Sequence, residues 1–431
     1  MKDVALAYGR AGLVARVPDD AVVVTPTELP GLADERGAVV KSLRTPVSGP
    51  PLEDVVRSAA RAAARRGAAG GLTVAVVFPD ITRPMPNRTV LPPLLAELER
   101  MGAGPEHVEL LCATGTHRAA TPDEMVELVG PDIVARYRIH QHDAEAGPEH
   151  VEVGTVDGAP ILIDRRYVEA DVRILTGFVE PHFFAGFSGG PKGACPGLAA
   201  LATVLEAHSP ARIADADATW LVREGNPVHD FVRRAVAMVP PALSLDVAIN
   251  RRRRLTAVFA GTLPDGHDAA CRFVEETAVQ RVPERFDVVL STNGGYPLDR
   301  NLYQTVKGMA AAERVVRRGG TIVMAAECAD GTPGGGAFAR LLSESTGPGT
   351  LGGGDGPPET DRWQAQVLGR VLAQADVWLR AEGLADDEVR AAHLRPVADV
   401  SDAVTEALDD AGTGAHLGVL PLGPLTVATA P

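Results

Sequence analysis

Apolar positions along the chain come in short blocks separated by turn residues, and the blocks alternate in kind. Residues 3–7 (DVALA) and 21–25 (AVVVT) read as short strands around a turn, and 51–67 as a helix opened by proline and closed by glycine. The alternation then becomes regular. The run 73–80 (TVAVVFPD) predicts a buried strand, 87–101 a helix, 107–115 (HVELLCATG) a second strand, and 121–137 a helix that starts at Thr121 with Glu124 in capping-box spacing. Repeated βα units imply a mostly parallel sheet.

A second series begins near residue 286, with FDVVLSTNGG as a strand, 301–318 as a helix, GGTIVMAAEC as a strand and a helix around 336–345. It predicts a second α/β domain. Between the two series lie a helix-rich stretch, 198–240, and LDVAINRRRRLTAVFAG, which reads as two strands joined by a solvated turn of four arginines. The low-complexity segment 346–358 predicts a surface loop. The pattern predicts a first domain over 1–280 and a second over 285–400, with a helix and strand in 401–431 that could return to the first.

Composition narrows the function classes. A chain of 431 residues can bury a core without staples. Its 42 Lys plus Arg against 56 Asp plus Glu leave a net charge of −14, which disfavours nucleic acid and anionic membrane as partners. Cys112, Cys195, Cys271 and Cys328 are far apart in the chain and suggest neither a zinc knuckle nor a disulfide framework. The first twenty residues hold no apolar run of signal-peptide length, and no run of about 18 apolar residues follows. A cytoplasmic protein is expected. A small anionic substrate would need a local cluster of positive charge.

Four segments could carry chemistry. Asp80, Ile81, Thr82 and Arg83 follow a buried strand directly, where ligands gather in open α/β sheets, although Asp80 could merely cap a turn and pair with Arg83. Gly115, Thr116, His117 and Arg118 follow the next strand, and His117 could be a general base or an ordinary exposed histidine. The third segment, 181–197, is more unusual. It contains His182, Phe183, Phe184, Ser188, Gly189, Gly190 and Lys192, and its Ser-Gly-Gly-Pro-Lys turn could present backbone N–H groups to a phosphate. It lacks the P-loop spacing, and no GxGxxG fingerprint follows the first strands. His208, sixteen residues on, could be a metal ligand or a helix-end histidine. In the second series Gln304 and Lys307 share one face of a helix, and Trp363 could stack on a ring or pack in the core.

In this order the segments resemble the nickel-dependent lactate racemase family, whose members carry DxTR, GTHR and HxxAGxSGGxK segments and a later histidine. Here these are Asp80–Arg83, Gly115–Arg118, His182–Lys192 and His208, with Gln304, Lys307 and the Trp363–Gln364 pair extending the likeness. The resemblance implies two Rossmann-like α/β domains with the active site in the interdomain cleft. It further implies a nickel pincer nucleotide, Ni(II) pyridinium-3,5-bisthiocarboxylic acid mononucleotide, attached covalently at Lys192 and installed by cofactor maturation proteins. By position His208 would complete the nickel coordination, and His117 and His182 would be the catalytic bases. Asp80, Ile81, Thr82, Arg83, Ser188, Gly189, Gly190 and Trp363 would line the cofactor, and Arg83, Gln304 and Lys307 would hold the substrate. The activity implied is racemisation or epimerisation of a 2-hydroxy acid through a 2-keto acid. Hydride rather than proton removal avoids a carbanion beside a carboxylate, and an organic cofactor can accept it. Two alternatives differ in class: a non-catalytic nucleotide-binding protein, and a dehydrogenase-like enzyme using a free nicotinamide cofactor.

Overall fold

The computed structural model describes residues 1–67, 71–334, 336–351 and 357–431. The chain divides into two compact units, one of Glu28–Ala207 with Asp217–Glu276, the other of Met1–Thr27, His208–Ala216 and Thr277–Pro431. Each is built on a six-stranded, mostly parallel sheet. Among the described residues no helix is long and apolar enough to cross a membrane.

In the first unit the strand order is Leu255–Gly261, Leu243–Ile249, Val172–Phe178, Val74–Pro79, Val108–Ala113, Arg138–Gln141, and only the first pair runs antiparallel. Val74–Pro79 is central because its apolar run can be buried on both faces. Alternation then sends Val76 and Phe78 into a core with Leu91, Leu94 and Leu98, while Ala75 and Val77 face Ile161, Tyr167 and Phe231. The capping box forms as the spacing predicts: Thr121 accepts the Glu124 N–H, and Glu124 accepts the Thr121 N–H at 2.8 Å. The single helix expected over 121–137 is two, Pro122–Val129 and Pro131–Arg136. Gly130, at φ 96°, and the ring of Pro131 interrupt the backbone ladder between them. The four arginines do form the turn between Leu243–Ile249 and Leu255–Gly261, exposed and closed by Asn250 Oδ1, which accepts the N–H groups of Arg252 and Arg254.

In the second unit the order is Arg395–Pro396, Ala375–Arg380, Val316–Ala325, Phe286–Thr292, Leu417–Leu420, Val22–Val23, all parallel. Two expectations change here. Lys2–Leu6 pairs with Leu13–Val17, and the run at 21–25 instead adds a short edge strand beside Leu417–Leu420. The C-terminal strand pairs with Phe286–Thr292, and the helix Val400–Ala411 buries Val400, Ala403, Val404 and Ala407 against that sheet. The boundary drawn at 280 from chain order therefore differs from the contact pattern, which takes residues 1–27 and 208–216 into the unit of the second sheet. Part of the low-complexity segment 346–358, namely 352–356, lies outside the described residues.

Candidate active site

Val74–Pro79 and Val108–Ala113 are register neighbours, with Pro79 opposite Ala113, so the residues that follow leave the sheet side by side. This brings Asp80 and His117 together across 37 positions of sequence. His117 Nδ1 donates to Asp80 Oδ2 at 2.9 Å, and Thr82 Oγ1 donates to Asp80 Oδ1 at 2.7 Å. Asp80 is 3 % exposed, whereas the His117 side chain is 46 % exposed. Burial pushes the Asp80 carboxyl up, but the hydrogen bonds from His117 and Thr82 and the charges of His117 and Arg83 outweigh it and hold it below its ordinary range. The carboxylate fixes the proton on Nδ1, which leaves Nε2 of the neutral ring as the lone-pair nitrogen. Arg83 closes the turn through its backbone N–H to the Asp80 carbonyl, 3.2 Å, and acts on the carboxylate as a nearby charge. Arg118 is committed elsewhere, with both terminal nitrogens on Glu124 at 2.6 and 2.7 Å.

The segment 181–197 folds as a tight hairpin, Pro181–His182 against Gly186–Phe187, followed by a helical turn, Gly190–Gly193, that carries Lys192. Its end is tied to the His117 turn by the Gly115 N–H, which donates to the Gly197 carbonyl at 3.0 Å. His182 is buried, stacked on Phe183 and edge-on to Phe184, and its Nδ1 accepts the Ala185 N–H at 3.3 Å. A neutral His182 therefore carries its proton on Nε2. The two histidines are set in opposite tautomers. Lys192 Nζ lies 5.6 Å from the centre of the Phe184 ring. The helix Pro227–Ala237 packs on the lysine turn, and its buried His229 is pushed down to about 3 by burial first and then by the charges of His267, Arg233 and Lys192.

The backbone nest expected at Ser188–Lys192 is filled from within. Gly190 N–H donates to the buried Asp246 Oδ1 at 2.8 Å, and Lys192 N–H to the Gly189 carbonyl at 3.1 Å. The Ser188 hydroxyl donates to the Phe178 carbonyl at 2.9 Å and accepts the Glu180 N–H at 3.0 Å, so it closes the hairpin. Only glycine suits position 190, where φ is +49° and a Cβ would stand 2.4 Å from His267 Cγ. Asp246 thus anchors the lysine turn, a role that no local sequence signal announced.

The remaining candidates gather in the other unit. Asn301 Oδ1 caps the helix Leu302–Glu313 at the Gln304 N–H, 2.9 Å, and one turn on Lys307 Nζ donates to Gln304 Oε1 at 2.6 Å. Trp363 Nε1 donates to the Tyr303 hydroxyl at 3.0 Å, and its ring lies 4.9 Å from that of His208. Tyr303 was not among the expected residues, although it adjoins Gln304. His208 was expected with Lys192 in the first domain. The short helix after it packs on Arg362–Gln374, with Gln366 Nε2 donating to the Pro210 carbonyl at 3.0 Å, and this docks His208 in the second unit instead.

The chain's own thiols are not poised as ligands for a soft metal ion. The four thiols are buried and raised, those of Cys195 and Cys328 to about 12, by burial above all.

The chain is similar to known proteins along nearly its full length. Residues 8–220 match the lactate racemase N-terminal domain and residues 282–427 the lactate racemase C-terminal domain. The lactate racemase of Thermoanaerobacterium thermosaccharolyticum is 33 % identical over 433 residues, covering 98 % of each chain. That of Lactiplantibacillus plantarum is 32 % identical over 432 residues, covering 97 % of each. The structure of the Thermoanaerobacterium lactate racemase apoprotein superposes with a TM-score of 0.88 at 32 % identity, covering 99 % of this chain and 100 % of that one. A Thermotoga maritima protein shares the fold, with a TM-score of 0.62 at 19 % identity over 89 % of this chain.

Proposed function

The chain belongs to the lactate racemase family and is an isomerase, and on that premise we propose that it interconverts the enantiomers of a short 2-hydroxy acid of the lactate class. The observation that carries this reading is the opposed setting of two histidines. His117, with Nδ1–H held by Asp80, offers a lone pair at Nε2, while His182, with Nδ1 on a backbone N–H, holds its proton at Nε2. A racemase must take the hydroxyl proton of one enantiomer and return a proton to the carbonyl oxygen of the flat 2-keto acid from the other side. One ring gains a proton at Nε2 and the other gives one up, and proton exchange with solvent must return both rings to their starting states before the next turnover.

We assign the substrate carboxylate to Arg83 and Lys307, the local positive charge that a protein of net charge −14 needs for an anion. Gln304 positions Lys307 through its side-chain oxygen, 2.6 Å away. The cofactor we propose is the nickel pincer nucleotide, tethered at Lys192, with His208 on the metal and Trp363 packed on that imidazole. The Asp80–Arg83 turn and the Ser188–Gly190 loop complete its cradle. When bound, this group supplies a hydride acceptor beside the substrate, chemistry that no side chain offers. The assigned residues are drawn from both units. Loading the group requires maturation proteins in the producing cell.

The test is intact-mass and nickel analysis of protein produced with those maturation proteins. The expected result is one adduct per chain, localised to Lys192 and lost in Lys192→Ala, with one nickel. Unmodified Lys192 under conditions that load a known family member would overturn the cofactor assignment.

A further inference from the structure

Outside the candidate active site, the edge strand Arg138–Gln141 with His142 just after it, the turn Gly147–Glu149 and the hairpin His150–Val156/Ala159–Asp164 bring three histidines and two carboxylates together. We propose that His140, Glu149 and Asp164 form a divalent-metal site for zinc, which staples the hairpin to the edge of the first sheet.

The ligand spacing supports this. His140 Nε2 stands 3.2 Å from Asp164 Oδ2 and 3.5 Å from Glu149 Oε2, and the three atoms lie within 4.8 Å of one another. Two ligands on a tetrahedral ion with bonds of ~2.0–2.1 Å are about 3.3–3.4 Å apart. A mixed imidazole and carboxylate set is one that zinc accepts.

The second support is a set of buried atoms with nothing to bind. Asp164 is 0 % exposed, and its Oδ2 accepts no hydrogen bond; His140 Nε2 and His142 Nδ1 also make none. His142 Nε2 donates to the Ala199 carbonyl at 3.0 Å, so in the neutral ring Nδ1 is a lone pair. That lone pair faces Asp164 Oδ2 at 3.5 Å, an unfavourable meeting of two acceptors that a cation on Oδ2 would relieve. Asp164 is held for ligation from its other side, where Oδ1 accepts the Arg166 N–H at 2.8 Å, and Arg166 Nη1 donates to Glu149 Oε2 at 2.9 Å. Such outer contacts orient ligands in metal sites. The competing arrangement is a protonated His140 bridging the two carboxylates with no ion.

Zinc titration of the full-length chain against a competing chelator separates the two. The site should take up one equivalent at micromolar or tighter affinity, and cobalt substitution should give the visible bands of a tetrahedral centre. His140→Gln and Glu149→Gln, at partly exposed positions that spare the Asp164 helix cap, should each weaken that equivalent by more than about tenfold. His208→Gln, which reports on any metal held by His208, should leave it unchanged. Zinc should also raise the unfolding temperature of the unsubstituted chain and not that of His140→Gln. No uptake at micromolar zinc, or an equivalent unaffected by both His140→Gln and Glu149→Gln, would overturn the assignment.

Discussion

At the scale of single residues, the most consequential feature is a carboxylate that serves a histidine. Asp80 and His117 each stood out in the sequence, but as members of separate segments; nothing local relates positions 37 apart. Their pairing follows from strand order, which puts the ends of two adjacent parallel strands side by side. Asp80→Asn keeps the shape but removes the charge that holds Nδ1–H in place, and it permits the wrong tautomer. Its turnover should fall by about 10–100-fold with the lysine adduct intact, a loss of the size seen when ligand-orienting partners are removed. Full activity in this variant would separate Asp80 from the chemistry. The same pair makes a statement about pH. The native carboxyl is held below its ordinary value, so the unfolded chain binds this proton more readily. The stabilisation is therefore present above about pH 4 and is lost as pH falls through the depressed native value. Urea midpoints of the parent chain and Asp80→Asn should differ at pH 7 and converge in acid.

At the scale of elements, much was legible because it is written locally. The alternation of buried strands with amphipathic helices, the Thr121 capping box and the arginine turn all depend on residues within a few positions of one another. The exceptions depend on distant partners or on a local stop that the periodicity masks. Gly130 and Pro131 split a helix whose apolar spacing runs on past them, and the strand at 22–23 finds its neighbour at 417–420, nearly the whole chain away. The lysine turn is the clearest case. Its glycines suggested an anion cradle, yet the anion that they receive is the side chain of Asp246, 56 residues from Gly190. Gly190→Ala tests how closely that turn is specified. A left-handed backbone and a Cβ at 2.4 Å from His267 should together cost about 2–4 kcal/mol and reduce lysine modification. Gly158→Ala, at a φ of +83° but with no atom within 4 Å of the new Cβ among the described residues, should cost only about 1 kcal/mol and leave modification unchanged. Equal effects on modification would remove the special role of the turn.

At the scale of the whole molecule, the linear order of the chain is a poor guide to its organisation. The first 27 residues and the nine around His208 belong with the last 155, so the metal-ligand candidate and the lysine expected to share its cofactor sit in different units. Family membership covers both units, and the proposed chemistry needs residues from each. That requirement makes lactate turnover the decisive observation. Protein carrying the Lys192 adduct should be given pure L-lactate and, separately, pure D-lactate, and the products resolved by chiral chromatography. Both reactions should converge on an equimolar mixture, and neither should proceed with His117→Ala or His182→Ala. If the adduct-bearing protein leaves each enantiomer as supplied while a known lactate racemase converts it, lactate is not the substrate; if either histidine variant still racemises, the two-histidine scheme is contradicted.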